Sequence, residues 1–457
     1  MNKMKFETPD LMAENVEKIA ALFPSCVTEM LDEEHSTPEK KVYKHAINFE
    51  QLKQMLSPNV VDGEECYEFT WVGKKAAMVE ANKPIRKTLR PVLEDETIPT
   101  GIGSEGKPYC SSGSKNWDTT ENLYIEGDNL EVLKLLQESY LGKVKMIYID
   151  PPYNTGHDFV YPDSYIMDND EYNTGTKYFD EDGNVNYKRE NSDSAGKYHS
   201  DWCSMIYSRL LLARNLLTDD GVIFISIDDN EQENLKKICD EVFGASNYRN
   251  QLLVRRRIKS LNVQFANDGL NSLNVGYEYI YVYAKSNKFL FAPIRQKKTE
   301  ISTEGHWNTF WSTADRPTMR YEVLGFVPET GQWRWQKELA NEAVKNYQKY
   351  EREFSSKMSL EDYWISTGKK LKFISRNPNS SSKGGGVQYW LPPSDSVLRT
   401  SNWTDIEVSQ IIKNFGLQFD NPKSTNLMKE VMRSVPENDF IVMDFFSGSA
   451  TTAHAVM

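Results

Sequence analysis

Residues 122–156 read NLYIEGDNLEVLKLLQESYLGKVKMIYIDPPYNTG, and this stretch decides the fold class. Asn122–Glu126 predicts a strand that stops at Gly127-Asp128. Asn129–Leu141 predicts a helix, with Leu130, Leu133 and Leu136 or Tyr140 on one face and Gly142 as its stop. Val144–Ile149 is a mostly apolar run of buried-strand length that ends at Asp150-Pro151-Pro152-Tyr153. The alternation resumes after a polar loop over 154–198. Asp201–Leu217 predicts a helix with Asp201 as N-cap, and Asp219-Asp220-Gly221 a turn. Val222–Ile227 predicts a strand ending at Asp228-Asp229, and Glu231–Phe243 a helix stopped by Gly244. Glu278–Lys285 and Phe440–Phe445 predict two further strands; the second leads into a Ser447-Gly448-Ser449 turn and a helix beginning at Thr451. Such β-α alternation predicts an α/β fold, a mainly parallel sheet with helices on both faces.

On either side of this pattern the chain reads differently. The first 115 residues predict mixed helix and strand: a short amphipathic helix over Glu14–Phe23 and paired strands over Tyr67–Met78. The stretch 100–116, with four glycines, predicts a linker. Residues 249–415 lack the alternation and predict an inserted domain. The chain ends inside the helix that begins at Thr451, which predicts a truncated core.

A length of 457 residues predicts about three domains. A composition 39% hydrophobic and 12% aromatic excludes a disordered chain. The opening MNKMKFETPDLMAENVEK has no apolar core of a secretory signal, and no window approaches a membrane span. Cys26, Cys66, Cys110, Cys203 and Cys239 are odd in number and never spaced as C-x-x-C, which argues against a disulfide scaffold and a zinc site. These features predict a soluble, cytoplasmic protein without a resident metal or membrane partner. The net charge of −12 argues against a polyanionic partner, but the distribution does not. Residues 249–415 hold 25 Lys and Arg against 16 Asp and Glu, and seven of the ten tryptophans. That segment is basic and aromatic; the rest is acidic.

Open α/β sheets bind ligands at the carboxyl ends of their strands. Four such ends carry marked residues: Asp128, Asp150–Tyr153, Asp228-Asp229 and Asp444–Ser449. In Asp150-Pro151-Pro152-Tyr153 the prolines stiffen the backbone and remove two N–H donors, so the loop offers carbonyl oxygens and one carboxylate. That surface suits an amino group, and Tyr153 offers a face for stacking a ring. A rigid turn with a capping aspartate is the equal alternative for the tetrapeptide alone. Phe446–Thr452 is a strand-turn-helix junction without the G-x-G-x-x-G of dinucleotide binders, and by itself reads as a plain turn. Asp128 also reads as a helix N-cap, Asp228-Asp229 as a cap and turn, and His454 as a solvated or core histidine.

Together these residues resemble the amino-methylating DNA methyltransferases of the β group, with the catalytic tetrapeptide ahead of the glycine loop. More closely, the chain resembles the modification (Mod) subunit of type III restriction–modification systems. The likeness covers nearly the whole chain, from TPDLMAENVEKIAALFP through TTENLYIEGDN…DPPYNTG, HSDWCSMIYSRLLLARNLLTDDGVIFISIDDNE, ICDEVFG, EYIYVYAKS, FDNPKSTNLM and DFFSGSATTAHAVM. It is weakest over 249–415.

The resemblance implies a Rossmann-like S-adenosylmethionine-dependent methyltransferase sheet, circularly permuted, with an inserted target-recognition domain and an N-terminal α+β extension. The implied parts are an extension over 1–116, the catalytic half of the core over 117–248, target recognition over 249–415 (with strand 278–285 in the core), and the cofactor half over 416–457. The implied reaction transfers a methyl group from S-adenosylmethionine to adenine N6 in double-stranded DNA. Asp150, Pro151, Pro152 and Tyr153 match the catalytic tetrapeptide. Asp128, Asp150, Lys423, Ser424, Asp444, Phe446, Gly448 and Ser449 match cofactor-binding positions. Arg255, Arg256, Arg257 and Lys259 are the candidate phosphate contacts, with a solvated basic run as the alternative. A homodimer and a restriction (nuclease/translocase) subunit are the implied partners. Two departures stand out: Ala450 replaces the second glycine of the F-x-G-x-G loop, and the strand bearing the ribose-binding acid would follow residue 457. The competing readings are a cytosine-N4 DNA methyltransferase and a truncated, non-catalytic DNA-binding remnant.

Overall fold

The computed structural model describes residues 8–32, 36–37, 40–56, 67–92, 97–102, 108–114, 117–155, 195–256, 273, 275–302, 304–406 and 422–457. The chain divides into two compact units, Met1–Ala292 with Thr400–Met457, and Pro293–Arg399. Among the described residues no helix is long and apolar enough to cross a membrane.

The first unit is built on a six-stranded sheet. Its strands are β1 (Val144–Ile149), β2 (Leu217–Ile227), β3 (Tyr248–Arg255), β4 (Tyr277–Ala284), β5 (Asn402–Trp403) and β6 (Val442–Met443), in the order β5-β3-β4-β2-β1-β6. The pairs β5–β3, β2–β1 and β1–β6 are parallel, while β4 runs antiparallel to both β3 and β2. Five of the six strands therefore run the same way, so the sheet is mainly parallel, and β4 alone is reversed; antiparallel neighbours need no crossover helix between them. β1 is buried at every residue, as a central strand covered on both faces must be.

Among the described residues of this unit the helices near the sheet include α1 (Asn129–Tyr140), α2 (Ala195–Leu216), α3 (Gln232–Cys239), α4 (Thr425–Arg433) and α5 (Thr451–Val456). Leu130 and Leu133 of α1, Trp202, Ile206 and Leu210 of α2, and Leu235 and Ile238 of α3 share one apolar core with Ile147, Ile149, Ile223, Ile225, Tyr281 and Tyr283 of the sheet. The alternate residues Met146, Tyr148, Phe224 and Val282 are also buried, so both sheet faces are covered. At about 25 cal/mol per Å² of apolar surface removed from water, this core is the main force holding the strand ends in place. α1 follows its sequence signals closely. Asp128 caps it by accepting from the Glu131 N–H at 3.0 Å, and Gly142, at φ +65°, ends it in the left-handed region.

Several local expectations are corrected. Residues 122–126 form no strand; Leu123 and Tyr124 stay exposed, so no burial drives pairing. α2 starts at Ala195, which puts Asp201 inside the helix rather than at its cap. The turn expected at 219–221 is a bulge within β2, where the register slips between Val144↔Leu217 and Met146↔Val222. A Cβ on Gly221 would stand 2.9 Å from the Thr218 carbonyl oxygen, so this bulge requires glycine. Lys74–Asn82 is a helix, not strand material: it buries Lys74, Ala77 and Ala81, with the two alanines four apart on one face. The expected linker contains an antiparallel pair, Thr97–Ile102 with Pro108–Ser112.

The second unit has its own core. Val387–Leu391 pairs antiparallel with both His306–Thr309 and Ile374–Arg376, and helices span Lys337–Glu353 and Leu360–Ser366. Phe310 stacks on Trp333 at 5.2 Å and 21°, and both are fully buried. Trp333 packs in this cluster and Trp390 in a second one with Tyr350, Tyr363 and Phe373, so both are buried in packing. Elsewhere cations lie near rings, with Lys372 Nζ 4.9 Å from the Trp335 ring centre and Arg376 5.3 Å from that of Phe326. The expected recognition region 249–415 thus combines two strands of the main sheet, β3 and β4, with this separate unit and the short strand β5.

Candidate active site

A cleft of about 2290 Å³ opens at the carboxyl ends of β1 and β6. Three of the four marked strand ends line it: Asp128, Asp150–Tyr153 and Asp444–Ser449. Asp228 lies elsewhere, accepting from the N–H and side chain of Asn230 at 3.0 and 2.9 Å, as a turn residue does.

The tetrapeptide loop is held at several points. The Trp202 indole N–H of α2 donates to the Pro152 carbonyl at 2.7 Å. Asn154 follows in the left-handed region at φ +56°, with its amide on the buried Glu231 carboxylate at 2.5 Å. Glu231 also receives His199 Nδ1 at 2.5 Å and the Asn234 amide at 2.8 Å. These anchors fix where the Asp150 carboxylate and the Tyr153 ring stand.

Lys423, from the segment before α4, reaches into the same place. Its ammonium donates to the Tyr153 hydroxyl and to Glu278 Oε1, each at 2.5 Å, and the Tyr153 hydroxyl donates to Glu278 Oε2 at 3.3 Å. Asp150 Oδ1 is 3.3 Å from the ammonium, which is ion-pair distance. The alignment falls short of a hydrogen bond, so this buried oxygen has no hydrogen-bond donor among the described residues. Lys423 Nζ is 5.0 Å from the Tyr153 ring centre but 2.5 Å from its hydroxyl, so it sits off the hydroxyl end rather than over the ring, which itself packs against the core.

Burial dominates the protonation of this group. It pushes the Asp150 carboxyl up; the Lys423 ammonium opposes that, and the Glu278 carboxylate adds to it. Burial alone would lower Lys423, but the Asp150 and Glu278 carboxylates outweigh it and hold the ammonium above its ordinary value. Burial, with Asp150 and Glu278, pushes the Tyr153 phenol well up, so it remains a donor.

The glycine loop is tied from below. Asp444 accepts from the Phe446 N–H at 3.0 Å and from Thr452 Oγ1 at 2.6 Å, while burial pushes its carboxyl up to about 6. Gly448 and Ala450 both adopt left-handed backbone, at φ +49° and +56°. Arg209 of α2 is fully buried and donates to Asn129 Oδ1 at 2.5 Å and to the Met205 carbonyl at 3.0 Å; its Nη2 lies 3.7 Å from the Asp128 carboxylate. Asn129 in turn donates to the Phe445 carbonyl at 2.9 Å. One guanidinium therefore links α2, the α1 cap and the backbone ahead of the glycine loop. Ser424 is buried just before α4 and also lines the cleft.

Arg255 and Arg256 line the cleft, with Arg256 Nη1 3.4 Å from Asp228 Oδ2; Arg257 and Lys259 lie outside the described residues. The sequence reading missed Glu278, Arg209, Trp202 and Glu231. Glu278 had one signal: a carboxylate at the second residue of a strand otherwise rich in tyrosine and β-branched residues.

Residues 144–457 match the family described as DNA methylase. The chain belongs to this family. Among curated relatives, the chain is 32% identical over 420 residues to the type III restriction-modification enzyme StyLTI Mod subunit of Salmonella typhimurium, covering 89% of this chain and 58% of that one. It is 31% identical over 356 residues to the type II methyltransferase M.KpnI of Klebsiella pneumoniae, covering 74% of this chain and 76% of that one. The chain spans 58%, 63% and 64% of the lengths of three type III Mod subunits it matches. Among solved structures, the cytosine-N4-specific PvuII DNA methyltransferase aligns at 12% identity and a TM-score of 0.32, over 71% of this chain and 74% of that one.

Proposed function

We propose that this chain is an S-adenosylmethionine-dependent methyltransferase that modifies adenine N6 in double-stranded DNA. We further propose that it is the modification subunit of a type III restriction–modification system, dimeric and paired with a restriction subunit. The observation that carries the reading is Asp150 Oδ1, a buried acceptor with no well-aligned donor among the described residues, beside a tyrosine ring that Lys423 does not cover. An exocyclic amine supplies the missing hydrogen.

The residues present fit the cofactor. Around Asp150 stand three carboxylates, Asp150, Glu278 and Asp444, against the single ammonium of Lys423, a balance that favours a cationic sulfonium. Asp128, Lys423, Ser424, Phe446, Gly448 and Ser449 line the same cleft and would hold the rest of the molecule. Asp444 contributes by shaping the loop, since both its oxygens are engaged within the protein. Bound S-adenosylmethionine supplies an electrophilic methyl group.

The protein's own work is to hold the target amine. A base inside a duplex must first be flipped out, at a cost of a few kcal/mol. Tyr153 stacks on the flipped ring. Asp150 and the Pro151 carbonyl accept the two amine hydrogens, drawing the nitrogen lone pair out of ring conjugation and fixing its direction. Positioning of this kind removes much of a reaction barrier. Arg255 and Arg256 at the cleft, with the basic region 249–415, are the proposed DNA contacts. The test is to incubate the chain with duplex DNA and labelled S-adenosylmethionine, digest to nucleosides and identify the product by mass spectrometry. N6-methyladenine supports the reading. Label on cytosine N4 would replace the substrate, and DNA binding without incorporation would leave a non-catalytic remnant.

A further inference from the structure

Lys423 is closer to Glu278 than to the aspartate it would be expected to neutralise. The ammonium lies 2.5 Å from Glu278 Oε1 but 3.3 Å from Asp150 Oδ1, so the first contact is a short, aligned hydrogen bond and the second a longer, poorly aligned ion pair that still lowers the Asp150 carboxyl. Glu278 comes from β4, far in sequence from both, and is buried. Its second oxygen receives the Tyr153 hydroxyl, so the two carboxylate oxygens fix the lysine and the tyrosine together. An ammonium has three donors and seeks the nearest acceptors. With Glu278 neutral or absent, the nearest remaining carboxylate is Asp150, and a shift of well under an ångström would make that contact a hydrogen bond.

We propose that Glu278 is a positioning residue: its carboxylate holds the Lys423 ammonium against the Tyr153 hydroxyl and away from Asp150 Oδ1, keeping that oxygen open for the amine of the target base. This inference rests on the methyltransferase reading for its purpose but not for its geometry. A lysine fully engaged with Asp150 would occupy the acceptor that the amine needs.

The groups facing Asp150 are Lys423, Glu278, Tyr153, Tyr148 and Asp444. Burial raises the Asp150 carboxyl, Lys423 lowers it, and Glu278 raises it. Removing the Glu278 charge takes away one raising influence and frees Lys423 to strengthen the lowering one. Both changes move the Asp150 titration to lower pH. Methylation requires ionised Asp150, so the acid limb of the pH–rate profile should move down with it, even as the plateau rate falls.

The decisive variant is Glu278→Gln, compared with wild type in two measurements. The first needs neither cofactor nor DNA: a carboxyl-carbon NMR titration of Asp150 in the free protein. The expected result is a lower titration point in the variant; an unchanged or higher one overturns the proposal. The second is methylation, where kcat should fall about tenfold, the equivalent of one pKa unit of interaction, while the DNA dissociation constant stays within about threefold, because only the reacting geometry has changed. A variant with wild-type kcat and an unmoved acid limb also overturns it. Glu278→Asp keeps the charge but withdraws it by one methylene, so it should shift both readings in the same direction by less; it serves alone if the glutamine variant does not fold. A wild-type chain that shows the titration difference but methylates nothing would sink the methyltransferase reading and leave the lysine's placement standing.

Discussion

The Asp150–Tyr153 loop and the Phe446–Ala450 loop face the same cleft, but they are held by different means. The first has two prolines, the Trp202 indole on the Pro152 carbonyl, the Asn154–Glu231 anchor and the Lys423–Glu278 pair on the Tyr153 hydroxyl. The second has Asp444 bridging its ends, a single link through Asn129 to the buried Arg209, and an alanine in left-handed backbone. One wall is over-determined and leaves Asp150 Oδ1 without a well-aligned donor among the described residues. The other carries local strain and depends on one guanidinium. Mutations should therefore affect catalysis without stability at the first wall, and stability together with affinity at the second.

Asp150→Ala should show the largest effect. Methylation is expected to fall by at least about a hundredfold, the scale for losing one preorganised polar contact to the reacting group. Burial rather than pairing dominates at Asp150, so the thermal midpoint should hold or rise. A variant that unfolds early would show that this wall needs Asp150 for its own integrity.

Arg209→Met should reverse that pattern. Losing hydrogen bonds from a buried charged group is expected to lower the unfolding free energy by about 1.5–3 kcal/mol, read from urea titration. The cofactor dissociation constant should rise in calorimetry, while kcat at saturation stays near wild type. Unchanged affinity would break the link drawn from α2 to the glycine loop.

Tyr153 separates its ring from its hydroxyl. Tyr153→Ala should weaken base capture by about 1–3 kcal/mol, the range for base–aromatic stacking. Tyr153→Phe should keep most activity, since stacking uses the ring and not the hydroxyl. Equal damage from both, measured by KM for DNA, would shift the role to the hydroxyl held by Lys423.

The smallest effect should be a gain. Ala450→Gly relieves left-handed strain of about 1–2 kcal/mol and gives part of it back as unfolded-chain entropy. A net stabilisation of about 0.5–1 kcal/mol in urea unfolding is expected. No gain would mean that the alanine methyl packs usefully enough to offset its backbone.

What the sequence revealed follows from how locally each feature is encoded. The β1 strand, α1 with its cap and stop, and the tetrapeptide were legible because strand length, N-cap chemistry and paired prolines act within a few residues. Ala450 was legible as a departure from a loop pattern, though its left-handed backbone needed coordinates. The strands expected at 122–126 and 67–78 failed for a shared reason: a short apolar run does not fix its own period, and burial elsewhere decides it. Glu278 and Arg209 were invisible because each is a charge in a largely apolar stretch, EYIYVYAK and SRLLLARNLL, with nothing nearby to mark its partner. Their meaning arises only when segments more than a hundred residues apart are brought together.

The pairing of β6 with β1 also has a consequence in time. Val442 pairs with Met146 and Met443 with Ile147, and the Ile441 carbonyl accepts from the Lys145 and Met146 N–H groups at 3.1 and 3.2 Å. During synthesis at about 5–20 residues per second, β1 must wait tens of seconds for these partners to emerge. Through that interval one edge of a strand reading Val-Lys-Met-Ile-Tyr-Ile has unpaired backbone groups, the kind of edge that recruits other chains. The wall bearing Asp150 is thus set early, and the cleft is closed only when β6 emerges, which makes nascent chains stalled between the two the most exposed to aggregation.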